Sequence, residues 1–412
     1  MLEFKKFTLP NGLKLIVNED KATPLIAVNI LYQVGSRNES PDRTGFAHLF
    51  EHLMFGGSVN IPSYDEPLQH VGGENNAFTS NDITNYYSTV PAENIETALW
   101  LESDRMLELD FSYQSLEVQR NVVIEEFRQR YLNQPYGDLW LQLRPLAYKV
   151  HPYQWPTIGK SIDHIREATL DDVKNFFYSH YAPNNAIMTI SGNITPEKAY
   201  DLVTKWFGDI PFRKLSDNHI PSEPAQTAPR MMEVKRKVPY HGIYKVFHMG
   251  GRNSSEFQVC DMITDLLSSG KSARLYQKMV KELQLFSDIN AYVSGDVDPG
   301  LIVVGGKLID GVSPEKADRA VSEILNDIQV HLFTDTEIQK VKNKFESNLL
   351  MSQTNILNKG MSLSYYEMLG DADLINTEAE RYNAITDEEL RQTATKIFSE
   401  NNCSTLYYLA EN

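Results

Sequence analysis

Four hundred and twelve residues, 42% hydrophobic and 23% charged, make a chain long enough for two or three domains with cores of their own. No apolar run approaches the roughly 18 residues that suggest a membrane span. The 39 basic and 55 acidic residues leave a net charge of −16, which argues against a nucleic-acid surface, since phosphate binding needs concentrated Lys and Arg.

Near the N-terminus, Glu3, Lys5 and Lys6 stand where a signal peptide would need apolar residues. Only Cys260 and Cys403 occur, so no disulfide framework holds the fold. Both features lead to the expectation of a cytoplasmic protein. Next in order, β-branched runs predict strands at 13–17 and 25–34. Amphipathic stretches predict helices at 44–55, 91–107, 115–131 and 170–181, and 186–191 reads as another strand. Strands alternating with longer helices are the pattern of mixed α/β layers. From Gly208 to Val234 the periodicity lapses and four prolines appear, as in an exposed linker. We therefore expect an N-terminal domain over 1–215, a linker over 216–230 and a C-terminal domain over 231–412.

The segment QVGSRNES at 33–40 is echoed by HMGGRNSS at 248–255, with Gly35/Gly250, Arg37/Arg252, Asn38/Asn253 and Ser40/Ser255 at a constant offset of 215. Each copy follows a strand-like run and precedes a helix-like one, which predicts an internal duplication.

Just after the first copy comes HLFEH, His48 to His52. At about 100° per residue, His48, Glu51 and His52 share one arc of the helix, while Phe46, Leu49, Phe50, Leu53 and Met54 occupy the opposite side. Histidines one turn apart can offer ring nitrogens to a single zinc, and the adjacent glutamate is then close enough to take a proton from water activated there. This is the inverted order of the commoner HExxH. Gly56-Gly57 supplies a helix stop. At the offset of 215 the three positions become Ile263, Leu266 and Leu267, so one zinc per chain is expected, in the first domain.

Catalytic zinc takes a third protein ligand and keeps one position open. The predicted helix at 115–131 offers Glu125 and Glu126. Leu116, Val123, Phe127 and Tyr131 define its apolar stripe; Glu125 points nearly opposite, whereas Glu126 lies about 80° from it, at the stripe's edge beside Gln119 one heptad earlier. Only Glu126 is placed to face a packed neighbour.

Together, GFAHLFEHLMFGGS at 45–58, GGENNAFTSNDITNYY at 72–87, RNVVIEEF at 120–127, HPYQWPTIG at 151–159 and YAPNNAIMTISGNI at 181–194 resemble the pitrilysin/insulinase family of inverted-motif zinc peptidases. The likeness is to the short, two-domain bacterial members related to the mitochondrial processing peptidase, and it covers essentially the whole chain. It implies an α+β protein of two homologous α/β domains, each an antiparallel-rich sheet with helices packed on it, that enclose a chamber between halves or subunits. By the resemblance, Zn²⁺ is held by His48, His52 and Glu126, and Glu51 is the general base. Asn76, Ala77, Phe78, Thr79 and Ser80 resemble the edge strand that pairs with an extended peptide substrate.

Two departures stand out. Gln119 occupies the place of a second glutamate found in many members, which alters the charge behind the ligands. In the second domain, the arginine and tyrosine that hold the substrate in self-sufficient members align with Val280 and Ser287. A site lacking those carbonyl-side donors loses transition-state stabilisation of a few kcal/mol per donor. The resemblance thus implies a metalloendopeptidase subunit whose related partner supplies an Arg/Tyr pair, or otherwise a homodimer. The competing classes are a non-catalytic structural subunit of the same family and a peptide-binding module without turnover; a general base beside two ligands argues against the first.

Other motifs have plainer explanations. The Gly-Lys-Ser triplet at 270–272 lacks the glycine five residues earlier that a phosphate loop needs, since Asp265 is there. His151 belongs to an aromatic, proline-bearing loop expected to pack on the core, and His70 and Trp155 carry no stronger signal. Cys260 sits among apolar helical residues, as a packing residue would.

Overall fold

The computed structural model describes every residue except 216–218, 296, 332 and 412. The chain forms two compact units. The first comprises Met1–Gln129, Trp155–Ile220 and Leu350–Thr377, the second Arg130–Gln154, Pro221–Leu349 and Glu378–Asn412.

The first unit is built on strands β1 (Lys5–Thr8), β2 (Lys14–Glu19), β3 (Leu25–Tyr32), β4 (Glu74–Thr79), β5 (Thr84–Pro91) and β6 (Ala186–Gly192), in the order β1-β2-β6-β3-β5-β4. Only β2 and β6 run parallel; the other neighbours are antiparallel. All seven residues of β6 are buried, because helices cover both faces at the centre of the sheet. One covering helix, Ile356–Met368, comes from far along the chain and crosses β3 and β6. A buried polar network fixes it there: Asn85 Nδ2 donates to Asn29 Oδ1 at 2.8 Å, Asn29 Nδ2 to Ser364 Oγ at 3.0 Å, and the Ser364 and Thr189 hydroxyls are 2.7 Å apart.

The second unit has β7 (Arg230–Arg236), β8 (Gly242–His248), β9 (Phe286–Ser294), β10 (Leu301–Leu308) and β11 (Cys403–Ala410), in the order β7-β11-β8-β10-β9 with β7 and β11 parallel. Apart from β1, this is the first sheet strand for strand, directions included. The duplication expected from the RN-S echo is therefore expressed as a repeated topology. The repeat also aligns the two edge strands: Asn76-Ala77-Phe78-Thr79-Ser80 at β4 corresponds to Asn290-Ala291-Tyr292-Val293-Ser294 at β9. The helix after β8, Glu256–Ser268, bears Ile263, Leu266 and Leu267, all buried in the second unit's core with Cys260.

The predicted elements fall where expected, with ends shifted by a few residues: 13–17 is the strand Lys14–Glu19 and 186–191 the strand Ala186–Gly192. The stretch 44–55 is helical over Phe46–Leu53, and 91–107 over Ile95–Leu107, because β5 runs to Pro91 and a 3-10 turn intervenes. The stretch 115–131 is an α-helix over Tyr113–Phe127 that continues as a π-helical turn, Arg128–Leu132. Of the expected linker 216–230, residues 216–218 lie outside the described residues, and Arg230 already opens β7. The units are not continuous halves: 130–154 belongs to the second and 350–377 to the first. Segment 130–154 goes with the second unit because Leu143, Leu146, Ala147, Tyr148 and Tyr153 share a core with β8, β10 and β11. Among the described residues no helix is long and apolar enough to cross a membrane.

Candidate metal centre

The helix Phe46–Leu53 buries Phe46, Ala47, Leu49, Phe50 and Leu53, and Phe50 lies against Phe176, Phe177 and Tyr181 with centroids 5.0, 6.5 and 5.2 Å away. That apolar face orients the opposite one. The helix start is clamped as well. Glu39 accepts from the backbone N–H of Gly45 and of Ala47, both at 2.9 Å; burial pushes its carboxyl pKa up to about 8 although those bonds pull it down. Gly45 has φ +89°, and a Cβ there would stand 2.6 Å from the Ile158 carbonyl. Trp155, fully buried, donates to the Ser36 carbonyl at 3.1 Å. The sequence alone assigned no role to Glu39 or Trp155; Glu39 braces the helix that presents the histidines, and Trp155 holds the 3-10 turn Ser36–Asn38 that precedes it.

The second helix, Tyr113–Phe127, starts at Ser112, whose hydroxyl accepts from Ser115 N–H. It passes close to the end of the first: a Cβ on Gly56 would lie 2.6 Å from Ser115 Oγ and 3.8 Å from Gln119 Nε2. Gly56 therefore permits the approach, and Gln119 lies beside it, half-buried. Leu116, Val123, Ile124 and Phe127 are buried. Glu125 is exposed and paired with Arg128, whereas Glu126 is turned toward the histidines.

Glu126 Oε2 lies 3.6 Å from His48 Nε2 and 3.4 Å from His52 Nε2, and one ligand atom from each residue falls within 4.8 Å of the other two. The imidazoles are 4.9 Å apart at 89°. These separations exceed those of ordinary N–H···O bonds, about 2.7–3.2 Å. They match the spacing of about 3.4 Å between ligand atoms on a tetrahedral zinc with bonds of about 2.0–2.1 Å. The side chains are 12, 25 and 16% exposed for His48, His52 and Glu126, which leaves an open side. Two imidazoles and one carboxylate are the donor set of an open, catalytic-type zinc site, so the residues present fit the metal.

Glu51 lies on the same helix, and its Oε2 accepts from Thr79 Oγ1 at 2.6 Å. Thr79 ends β4, the free edge of the first sheet. Ser80 is in the turn, not the edge: its N–H donates to Ile83 O, its O accepts from Ser36 N–H, and its hydroxyl accepts from Asp82 and Ile83 N–H. Since Ser80 N–H points to the β5 side, the alternation of an antiparallel ladder turns the backbone groups of Asn75, Ala77 and Thr79 outward. Ala77 N–H is covered locally by Asn76 Oδ1 at 2.8 Å. Asn76 and Phe78 are exposed on the other face of the strand.

In the second unit Val280 packs on the core, and Ser287 is exposed with its hydroxyl donating to the Lys307 carbonyl at 3.2 Å. His151 is buried, its Nδ1 accepting from Tyr153 N–H at 3.1 Å, and Cys260 is buried, which pushes its thiol pKa well up.

A duplicated α+β fold with an inverted His-x-x-Glu-His helix and a glutamate from a second helix defines a class, and the chain belongs to the pitrilysin/insulinase family. Residues 14–159 match the family described as Insulinase (Peptidase family M16), and residues 167–345 the one described as Peptidase M16 inactive domain. Among individual relatives, Zinc protease PqqE of Helicobacter pylori is 28% identical over 410 residues, 97% of this chain and 91% of that one. Uncharacterized zinc protease YmxG of Bacillus subtilis is 24% identical over 401 residues, 96% of each. The crystal structure of a protease from Helicobacter pylori aligns with a TM-score of 0.93 at 26% identity, covering 99% of this chain and 100% of that one.

Proposed function

We propose that the chain is a zinc-dependent endopeptidase for oligopeptides or unfolded protein segments, with His48, His52 and Glu126 as metal ligands, Glu51 as general base and Gln119 behind the ligands. The observation that carries this is the spacing of three donor atoms as ligands of one ion, with a carboxylate on the same helix face. Zinc bound there supplies Lewis acidity toward a peptide carbonyl and toward water. A peptide paired along β4, on the outward groups of Asn75, Ala77 and Thr79, runs past Glu51. Pairing displaces Asn76 Oδ1 from Ala77 N–H, and Phe78 contributes an exposed apolar face. Glu51 takes a proton from water as the water oxygen bonds to the carbonyl carbon, and returns it to the amide nitrogen as the C–N bond breaks.

The second half acts in this reading as the metal-free copy of the same fold. With Val280 and Ser287 where the resemblance places an arginine and a tyrosine, we assign the carbonyl-side donors to a related partner subunit, so that this chain is the metal-bearing member of a heterodimer. A cytoplasmic location fits two buried, unbridged thiols. The test is hydrolysis of a quenched-fluorescent peptide library by the purified, zinc-loaded chain, alone and with related subunits lacking the zinc motif, with and without chelator. Chelator-sensitive cleavage that is lost in Glu51→Gln supports the peptidase, and a requirement for the second subunit supports the heterodimer. Full activity of the chain alone refutes the heterodimer, and zinc-loaded protein inactive in every combination refutes the peptidase.

A further inference from the structure

Resting on Glu51 as the base, we propose that Thr79 is a positioning residue: its hydroxyl fixes the Glu51 carboxylate, so that the strand proposed to pair with the peptide also sets the orientation of the base. The contact is direct, Thr79 Oγ1 donating to Glu51 Oε2 at 2.6 Å, the length of a charge-assisted hydroxyl–carboxylate bond. It joins two elements distant in the chain, the end of β4 and the helix Phe46–Leu53. Glutamate has three rotatable bonds, and a half-exposed carboxylate on a helix samples several rotamers unless something holds it.

The internal repeat separates a functional role from a structural one. In the second unit the same topology recurs, with the same Asn-Ala-aromatic-x-Ser edge, yet Thr79 is matched by Val293 and Glu51 by Leu266. Val293 packs against the core cluster that contains Leu266. The fold is thus built equally well with an apolar pair at these positions. Hydroxyl and carboxylate are present together in the unit that has the His-Glu-His helix and are absent together in the unit that lacks it. Valine is nearly isosteric with threonine, so sheet geometry does not require the hydroxyl.

The placement also links substrate pairing to catalysis. Thr79 turns its backbone to the outer edge and its side chain to Glu51, so a peptide strand added to β4 stiffens the residue that holds the base. Misplacement of a catalytic group by about 1 Å loses up to about 100-fold in rate.

The experiment compares zinc-loaded wild type, Thr79→Val, Thr79→Ala and Thr79→Ser by metal content, melting temperature, peptide kinetics with the subunit composition that is active, and crystal structures. All four are expected to bind one zinc and melt alike. Thr79→Val and Thr79→Ala should lose about 10- to 100-fold in kcat with little change in KM, and Thr79→Ser should recover most of it. In the crystals the Glu51 carboxylate should leave its position in the Val and Ala variants and keep it in Ser. Undiminished kcat, a rise in KM alone, or an unmoved Glu51 overturns the proposal. Wild type that cleaves nothing refutes the peptidase reading instead, and the position of Glu51 in the crystals still decides whether Thr79 holds it.

Discussion

His180 offers a test of how burial in the first unit governs acid stability. It closes the helix Leu170–His180, is 7% exposed and lies against Phe176 with ring centroids 4.6 Å apart. Burial lowers its pKa from 6.5 to about 4. The folded protein therefore keeps this imidazole neutral while the unfolded chain protonates it, and between those values the unfolded state binds more protons. The stabilisation is present above pH 6.5 and is lost as pH falls toward 4. Across the whole interval the loss amounts to about 3 kcal/mol, and between pH 7.5 and 5.0 to about 2 kcal/mol. His180→Gln removes the titration while keeping a neutral polar group of similar size. Urea unfolding of both proteins at pH 7.5 and 5.0 is followed by tryptophan fluorescence, to which Trp100, Trp155 and Trp206 contribute from the first unit. Wild type should lose about 2 kcal/mol more than the variant on acidification, since groups common to both cancel. Equal losses refute the assignment of this acid sensitivity to His180.

Ser364→Ala takes the shared partner from Asn29 Nδ2 and the Thr189 hydroxyl, leaving buried polar atoms unpaired at a cost of about 1–3 kcal/mol. It should lower the melting temperature and speed amide exchange first in the helix Ile356–Met368; unchanged exchange there would contradict the role given to the network. Gln284 is exposed and holds φ +49°, a left-handed conformation that strains a side chain by about 1–2 kcal/mol, part of which glycine's greater unfolded-state entropy offsets. Gln284→Gly should raise stability by about 0.5–1 kcal/mol in a thermal melt, and a lowered melting temperature would show that the backbone bears no such strain.

Much of the candidate site was legible because it is local. The three-to-four-residue spacing of His48, Glu51 and His52 puts them on one helix face wherever that helix is formed, and the apolar stripe of the second helix separates Glu126 from Glu125. The edge strand was legible only in part: Asn76 to Thr79 lie on it, but Ser80 is consumed by the turn and Asn75 has its backbone on the free edge. Strand ends depend on which hydrogen bonds a turn captures, and residue type reports that weakly. Glu39 and Trp155 were missed because their partners, the helix-start N–H groups of Gly45 and Ala47 for one and the Ser36 carbonyl for the other, are separated from them in sequence and are backbone groups, which leave no side-chain signature.

By itself the sequence determined the mixed α/β pattern, the His-Glu-His helix and the loss of that constellation in the second copy through periodicity and spacing, the duplication through an echo at an offset of 215, and the α+β two-domain class through its resemblance to a family. Tertiary structure alone decided that Glu126 meets the two histidines at 3.4 and 3.6 Å, that Thr79 reaches Glu51, and that 130–154 and 350–377 each join the unit of the other half. Those are long-range pairings. They depend on which buried faces and polar groups satisfy one another across the fold, as Asn29 and Ser364 do over 335 residues, and no local pattern encodes that choice.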